Sequence, residues 1–267
     1  TWLKLIVTLD GVLPEIQREL LVSPDLSMQN LYQQVLCPAF GWTSNFHSYA
    51  FRRVPRGKAD NAAAVSDEEC CWIGPKKSSA LDSMFQPFYI GGDMANDKKI
   101  AIGQLFATTM DDGDSSEMTL QFVHDLGDWW THTIVVSKYD DEAASAVPGS
   151  ATVAHLVGGQ SGCPPEDTGG ITGYTMLMNR LAGKLPFQGA GDFLDPSNER
   201  WWTLLNSEYR SKSNAGPPFC SPLEFDLELA RSKLEASIRS PTQKAGKESS
   251  NLIKTNHHTG VQSNGNL

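Results

Sequence analysis

Two short stretches gather the side chains best suited to chemistry. His124-Asp125-Leu126-Gly127-Asp128-Trp129-Trp130-Thr131-His132 brings Asp125, Asp128 and His132 close together, and Cys163-Pro164-Pro165-Glu166-Asp167 puts two more carboxylates on a proline-stiffened bend. On an extended strand Asp128, Trp130 and His132 fall two apart and share one face. Carboxylates and imidazole converging in this way can hold a divalent cation or pass a proton as general acid and base. An architectural reading stands beside the chemical one. Asp125 and Asp128 flank Gly127, and short carboxylates in turns accept from main-chain N–H groups. Glu166 and Asp167 precede a helix start, where the dipole favours negative charge by about 0.3–1 kcal/mol. His47 alternates with Tyr49 and Phe51, reads first as a core histidine, and gains interest only if it meets His132 in space. The candidate pocket is therefore His47, Asp125, Asp128, Trp130, His132, Glu166 and Asp167. The sequence holds no P-loop, dinucleotide fingerprint, H-E-x-x-H or G-x-S-x-G, so no catalytic residue, metal ligand or cofactor can be named.

The elements that must position these residues follow from periodicity. Leu3, Leu5, Val7 and Leu9 alternate with Lys4, Ile6 and Thr8, a strand with one apolar face, and Asp10-Gly11 turns the chain into a returning strand over 16–22. Ser27 is an N-cap for a helix carrying Met28, Leu31, Tyr32, Val35 and Leu36 on one face, and Pro38 is expected to end or kink it. Residues 46–54 read as a strand with His47, Tyr49 and Phe51 on one side. Residues 55–99 read as a long irregular insertion, pinned by Cys70-Cys71-Trp72-Ile73, and 100–106 as a short strand running into a helical turn before the acidic loop 111–114. Residues 118–136 form a hairpin about Leu126-Gly127. Helices are expected over 172–182, 196–205 and 222–238, the second carrying Trp201-Trp202. Strands arriving as hairpins rather than in β-α-β order give an α+β class with a largely antiparallel sheet.

Composition bounds the partners. The 267 residues include 22 Lys+Arg against 31 Asp+Glu, a net charge of −9, and 40% are hydrophobic, which fits a folded domain and excludes wholesale disorder. A chain this acidic lacks the basic stripe that holds a nucleic-acid backbone, and no apolar run approaches the length of a membrane-spanning helix. Five cysteines without a C-x-x-C motif argue against a disulfide framework or structural zinc. No secretory leader is visible from Thr1, so an intracellular site, cytoplasmic or nuclear, is expected. Residues 239–267 hold few large aliphatics and read as a disordered tail after a domain over 1–238.

Three segments taken in order resemble the plasmid pRiA4b ORF-3-like family. The first spans Leu9 to Phe51, with Pro14-Glu15-Ile16-Gln17-Arg18, Gly41-Trp42 and His47. The second is His124 to His132, and the third is Cys163-Pro164-Pro165-Glu166-Asp167-Thr168-Gly169-Gly170-Ile171-Thr172-Gly173-Tyr174; Phe225-Asp226 matches a later Phe-Asp of the family. Departures are Gln17 where the family usually has Trp, His124 to Asp128 where it has Tyr-Asp-Phe-Gly-Asp, and one extra residue between Trp42 and His47. The resemblance implies an α+β domain and little about activity. Some members carry a resolvase-like label, but a serine recombinase needs a nucleophilic serine amid arginines and a DNA-reading helix, and a chain at −9 without a basic cluster offers neither. The expected function is a binding or adaptor module presenting an acidic, aromatic-lined groove, between the hairpin and the proline bend, to a protein segment or a small cationic ligand. The alternative is a metal- or acid/base-dependent hydrolase using Asp128, His132 and Glu166.

Overall fold

The computed structural model describes residues 2–54, 72–76, 80–90, 94–110, 117–139, 153–164, 166, 168–181 and 225–239. Its frame is one eight-stranded sheet. In chain order the strands are β1 (Trp2–Leu9), β2 (Ile16–Val22), β3 (Tyr49–Val54), β4 (Ile73–Gly74), β5 (Ala95–Asn96), β6 (Glu117–His124), β7 (Trp130–Tyr139) and β8 (Ala154–Gln160). Across the sheet they run β5-β4-β3-β6-β7-β1-β2-β8, antiparallel except for the parallel β4–β5 pair. The expected α+β class with a largely antiparallel sheet is the class observed.

Alternation decides which face is buried. Leu3, Leu5, Val7 and Leu9 lie in the core while their odd-even neighbours stay half-exposed, and Leu120, Phe122, Ile134 and Val136 continue the same apolar face across β6 and β7. The β6–β7 ladder pairs Glu117 with Ser137 at one end and His124 with Trp130 at the other, which is the hairpin expected about Leu126-Gly127. β8 contains Gly158-Gly159, a pair that disguises a strand as a loop. Its register against β2 slips beside Glu19, and Arg231 donates to the carbonyls of Leu156 (2.9 Å) and Val157 (3.2 Å) on this edge strand.

Helices cover the apolar face. From the Ser27 cap, whose hydroxyl accepts from the Asn30 N–H, the chain runs through α1 (Met28–Asn30), a π-helical stretch Leu31–Leu36 and α2 (Cys37–Phe40) before stopping at left-handed Gly41. The helix therefore passes Pro38 instead of ending there. The wider π turn, in which the Cys37 N–H reaches the Tyr32 carbonyl, relieves the clash and missing donor that proline brings to an α-helix. Residues 100–106 are not a strand: a single bridge between Ser27 and Ala101 precedes helix α4 (Ile102–Met110), which follows α3 (Gln86–Tyr89). Helix α5 (Gly170–Leu181) follows the proline bend, and α6 (Leu227–Arg239) packs on β8 and α2. Asp226 caps α6 by accepting from the Leu229 N–H at 2.9 Å. The insertion contributes β4 and β5 to the sheet edge, with Ile73 buried opposite Phe51. The Trp201-Trp202 helix, the acidic loop, Cys70, Cys71, Cys220 and the tail beyond Arg239 lie outside the described residues.

Arg18 joins three of these elements. Its side chain is 1% exposed, and its guanidinium donates to carbonyls of Ala39 (2.8 Å), Gln17 (2.6 Å), Gln160 (2.8 Å) and Ser161 (3.0 Å). Phe225 lies flat on it at 3.8 Å, with Phe40 5.1 Å away. Phe225 can approach only because residue 159 is glycine; a Cβ there would sit 2.5 Å from the Phe225 ring. Burial pulls the guanidinium down to about 10, which leaves it charged at neutral pH. Replacing Arg18→Met strands those carbonyls and is expected to cost about 1–3 kcal/mol or more in urea unfolding, the range for leaving a buried acceptor without its donor. A loss under about 1 kcal/mol would show that water can take the guanidinium's place.

His132 is wholly buried against Phe40, Trp42 and Phe122, with ring centroids 4.9, 6.3 and 4.8 Å away. Burial, and then the neighbouring His124, pushes its imidazole down to about 3 from an ordinary 6.5. Between those values the unfolded chain binds the proton and the folded one refuses it, so stability is lost as pH falls from 6.5 toward 3. In His132→Phe this share of acid destabilisation disappears. Urea midpoints measured from pH 7 to pH 4 should fall less steeply for the variant, and parallel curves would contradict the assignment.

Candidate functional site

The hairpin turn and the proline bend do meet, and backbone geometry shows how. Asp125 and Trp129 both adopt left-handed φ (61° and 58°), a conformation that strains non-glycine residues by about 1–3 kcal/mol each. The Asp125 carboxylate holds the turn in that shape: Oδ1 accepts from the N–H groups of Gly127 (2.8 Å) and Asp128 (3.0 Å), while its carbonyl takes the Trp129 N–H at 2.7 Å. From the other side Gly169 donates its N–H to Asp128 Oδ2 at 3.0 Å. Gly170, at φ 66°, lies so close that a Cβ would stand 2.3 Å from the Asp128 carbonyl oxygen, so only glycine fits this approach.

Glu166 forms a second fastening. Its Oε1 accepts from the Thr43 N–H at 2.8 Å and its Oε2 from the Thr43 hydroxyl at 2.7 Å, and Oε1 lies 3.6 Å from His124 Nε2. Burial pushes this carboxyl up, but His124 and the two Thr43 donors outweigh it and hold the group below its ordinary value. His124 is wholly buried, stacked on Trp42 at 4.6 Å, with its Nδ1 3.3 Å from the Tyr32 hydroxyl, which also donates to the His47 carbonyl at 3.3 Å. Next to it His47 Nδ1 lies 3.2 Å from Asp125 Oδ2. Burial raises the Asp125 carboxyl to about 6 against the opposing pull of His47 and the turn N–H groups.

These contacts redraw the expected site. Asp128 belongs to the turn, before β7 begins at Trp130, so it does not share a strand face with Trp130 and His132. Trp130 and His132 are core side chains, and Trp130 packs between Trp42 and Tyr174. His47 precedes β3 rather than lying on it, and its partner is Asp125 with His124 beyond, not His132. Asp125, Asp128 and Glu166 converge, but as a clasp whose oxygens are engaged with main-chain N–H groups, Thr43 and histidine. Asp167 lies outside the described residues. Among the described residues no three His, Cys, Asp or Glu side chains form a metal-binding group. Tyr32, Thr43 and His124 stand outside the expected pocket; Tyr32, on the apolar stripe of the first helix, and His124, two residues beyond Phe122 on the buried face of β6, carry a local signal, and Thr43 carries none.

An opening does adjoin the clasp, on the far side of His47. Among the described residues, a cleft of about 330 Å³ is bordered by Gln29 and Gln33 from the first helix, Asn45, His47 and Tyr49 from the approach to β3, and Pro75, Lys76, Ala80, Asn96 and Lys98 of the insertion. Tyr49, stacked on Tyr32 at 3.6 Å, donates its hydroxyl to wholly buried Asp97 in a very short hydrogen bond. Asn45 is left-handed (φ 62°) and accepts from Gln33 Nε2 at 2.6 Å. Trp129 lies outside this cleft, half-buried between Trp72 and Tyr89.

Glu166 then has an expected signature. Glu166→Ala should cost about 2–3 kcal/mol, since it leaves the Thr43 N–H and hydroxyl without their charged acceptor. Glu166→Gln is nearly isosteric, removes the charge and leaves one oxygen to accept from Thr43. Its deficit in urea unfolding should be present above pH 4.5 and shrink as pH falls, because the folded carboxyl sits below that value. A deficit that grows toward low pH would overturn the clasp.

Comparison with other proteins agrees with this architecture. The uncharacterized protein y4hQ of Sinorhizobium fredii (strain NBRC 101917 / NGR234) is 29% identical over 197 residues, 74% of this chain and 75% of its own. The crystal structure of MM3350 from Methanosarcina mazei Go1, a protein of unknown function, is similar with a TM-score of 0.51 over 85% of this chain and 95% of that one; at 16% identity this is a likeness of fold alone. No helix among the described residues is long and apolar enough to cross a membrane. Residues 1–212 match the family described as plasmid pRiA4b ORF-3-like protein, and the chain belongs to that family.

Proposed function

We propose that the chain is a binding module, and that the cleft beside His47 and Tyr49, rather than a groove between the hairpin and the proline bend, takes its ligand. The observation that carries this reading is the pairing of an open, polar cleft with rings fixed from behind: His47 against Asp125 at 3.2 Å and Tyr49 against Asp97. Two costly backbone features sit on its rim, the π-helical stretch that carries Gln33 and the left-handed Asn45. Such features collect at functional sites, since the fold must be over-determined elsewhere to keep them. A cleft of this volume takes a small molecule or the end of a peptide, not a protein surface. The hydrolase reading with Asp128, His132 and Glu166 has less support. Its imidazole has no exposed surface, and its two carboxylates are held by Gly169 and Thr43.

The test fills the cleft. Gln33 and Gln29 are half-buried at the rim, so Gln33→Trp or Gln29→Trp should obstruct it without disturbing the core. In ligand-observed NMR with a mixed panel of small acids, amines, amides and sugars, hits on the native chain should vanish in whichever Trp variant keeps the native melting temperature. Hits unaffected by both folded variants, or a panel with no hit, would overturn the proposal.

A further inference from the structure

Resting on that reading of the cleft, we infer that its ligand is a neutral polyhydroxy compound, a sugar or a cyclitol, whose hydroxyls are read by side-chain carboxamides held in opposite orientations. Gln29, Gln33, Asn45 and Asn96 all border the cleft. A carboxamide has a donor end and an acceptor end and no net charge, so what it recognises depends on which end is already engaged.

Three of these amides are oriented by bonds to their neighbours. Asn96 Oδ1 accepts from the Lys98 N–H at 3.1 Å, capping the short turn Asp97–Lys99, and this leaves its N–H₂ group as the donor end. Gln33 directs Nε2 to Asn45 Oδ1 at 2.6 Å, which leaves Gln33 Oε1 as an acceptor. Asn45 directs one N–H toward the Ser44 hydroxyl at 3.3 Å and carries a second on the same nitrogen. Tyr49 gives its single hydroxyl proton to Asp97, so its oxygen can only accept from a further partner. Donors from Asn45 and Asn96 and acceptors from Gln33 and Tyr49 therefore border one small volume. A hydroxyl answers both kinds, because one oxygen donates and accepts and its hydrogen turns to suit. A ring bearing several hydroxyls repeats that group on a body that fits about 330 Å³. An amide, by contrast, holds its donor and acceptor on fixed, opposite edges. Lys98, exposed beside Asn96, adds an ammonium that donates to a hydroxyl oxygen as readily as to any other.

The experiment is saturation-transfer NMR titration of the full chain with D-glucose, D-galactose, D-mannose and myo-inositol, beside N-acetylglycinamide, citrate and spermidine. At least one polyol should bind, with an affinity unmoved by added salt, and its binding should be lost in Gln33→Trp. Asn96→Asp keeps the cap on the Lys98 N–H but exchanges the donor end for an acceptor, and should weaken that polyol at least ten-fold. Gln33→Met removes the acceptor on the first helix and should do the same, which keeps the test open if Asn96→Asp lowers the melting temperature. If either folded variant binds the polyol as tightly as the native chain, the hydroxyl assignment fails. If N-acetylglycinamide, citrate or spermidine binds more tightly than every polyol and is lost in Gln33→Trp, the assignment fails while the cleft stands as a binding site. If no probe binds, or none that binds is lost in Gln33→Trp, the inference and the cleft reading fall together.

Discussion

A guanidinium without a carboxylate sets the rest of this structure. Taking Arg18 out of water costs several kcal/mol, and every hydrogen bond it makes among the described residues ends on a carbonyl oxygen. Those carbonyls lie where elements run out. Ala39 is in the last turn of α2, whose orphan carbonyls carry the negative end of the helix dipole, and Gln160 and Ser161 are where β8 ends. Arg18 therefore replaces water at two chain ends at once and fixes their separation. Four residues beyond Ala39 stands Thr43, and five beyond Ser161 stands Glu166; the two bonds between them, 2.7 and 2.8 Å, form only because both ends have been drawn to one side chain. The Phe225-Asp226 pair serves the same device, Phe225 sealing the cation from solvent and Asp226 starting the helix that covers it.

The second constraint is that three histidines share an aromatic interior. His124 and His132 are fully buried and His47 nearly so, among Phe40, Trp42, Tyr32 and Phe122. His132 is held neutral chiefly by its burial, with the neighbouring His124 adding to the effect, while Glu166 and Asp125 lie beside the other two rings. What resembles an acid/base constellation in one dimension is, in three, a set of rings held apart: His124 beside Glu166, His47 beside Asp125, and His132 with its Nδ1 at the Trp130 carbonyl. Only His47 among them borders open space.

The sequence made the frame legible wherever one face is apolar. β1, β2 and the 118–136 hairpin follow from strict alternation, and the helix after Ser27 from its 3.6-residue stripe. It misled where a residue's environment is set by a distant partner. Alternation puts Asp128 on a strand face because nothing local announces that Asp125 and Trp129 turn left-handed. Periodicity does not show the π turn by which the helix passes Pro38, and the Gly158-Gly159 pair of β8 breaks the alternation that marks a strand, Gly159 leaving room for Phe225. Thr43 carries no mark at all: its role depends on Glu166, 123 residues away. The convergence of hairpin and bend was readable as an expectation, but not that their acids would fasten them together.

This division of labour bears on what membership of the family can mean. The segments that carry the resemblance, from Arg18 through Gly41-Trp42, His124 to His132 and the Glu166–Gly173 stretch, are engaged in the clasp, the ring core and the cation seat. Their side chains are committed to shape. The cleft takes only part of its wall from those segments; Pro75, Lys76, Ala80, Asn96 and Lys98 come from the irregular insertion, attached to the sheet through β4 and β5. Substituting an insertion lysine leaves every contact of Arg18, Asp128 and Glu166 intact, because none of those contacts passes through the insertion. The lining of the cleft can therefore change while the fold does not, and the motifs that identify the family specify shape.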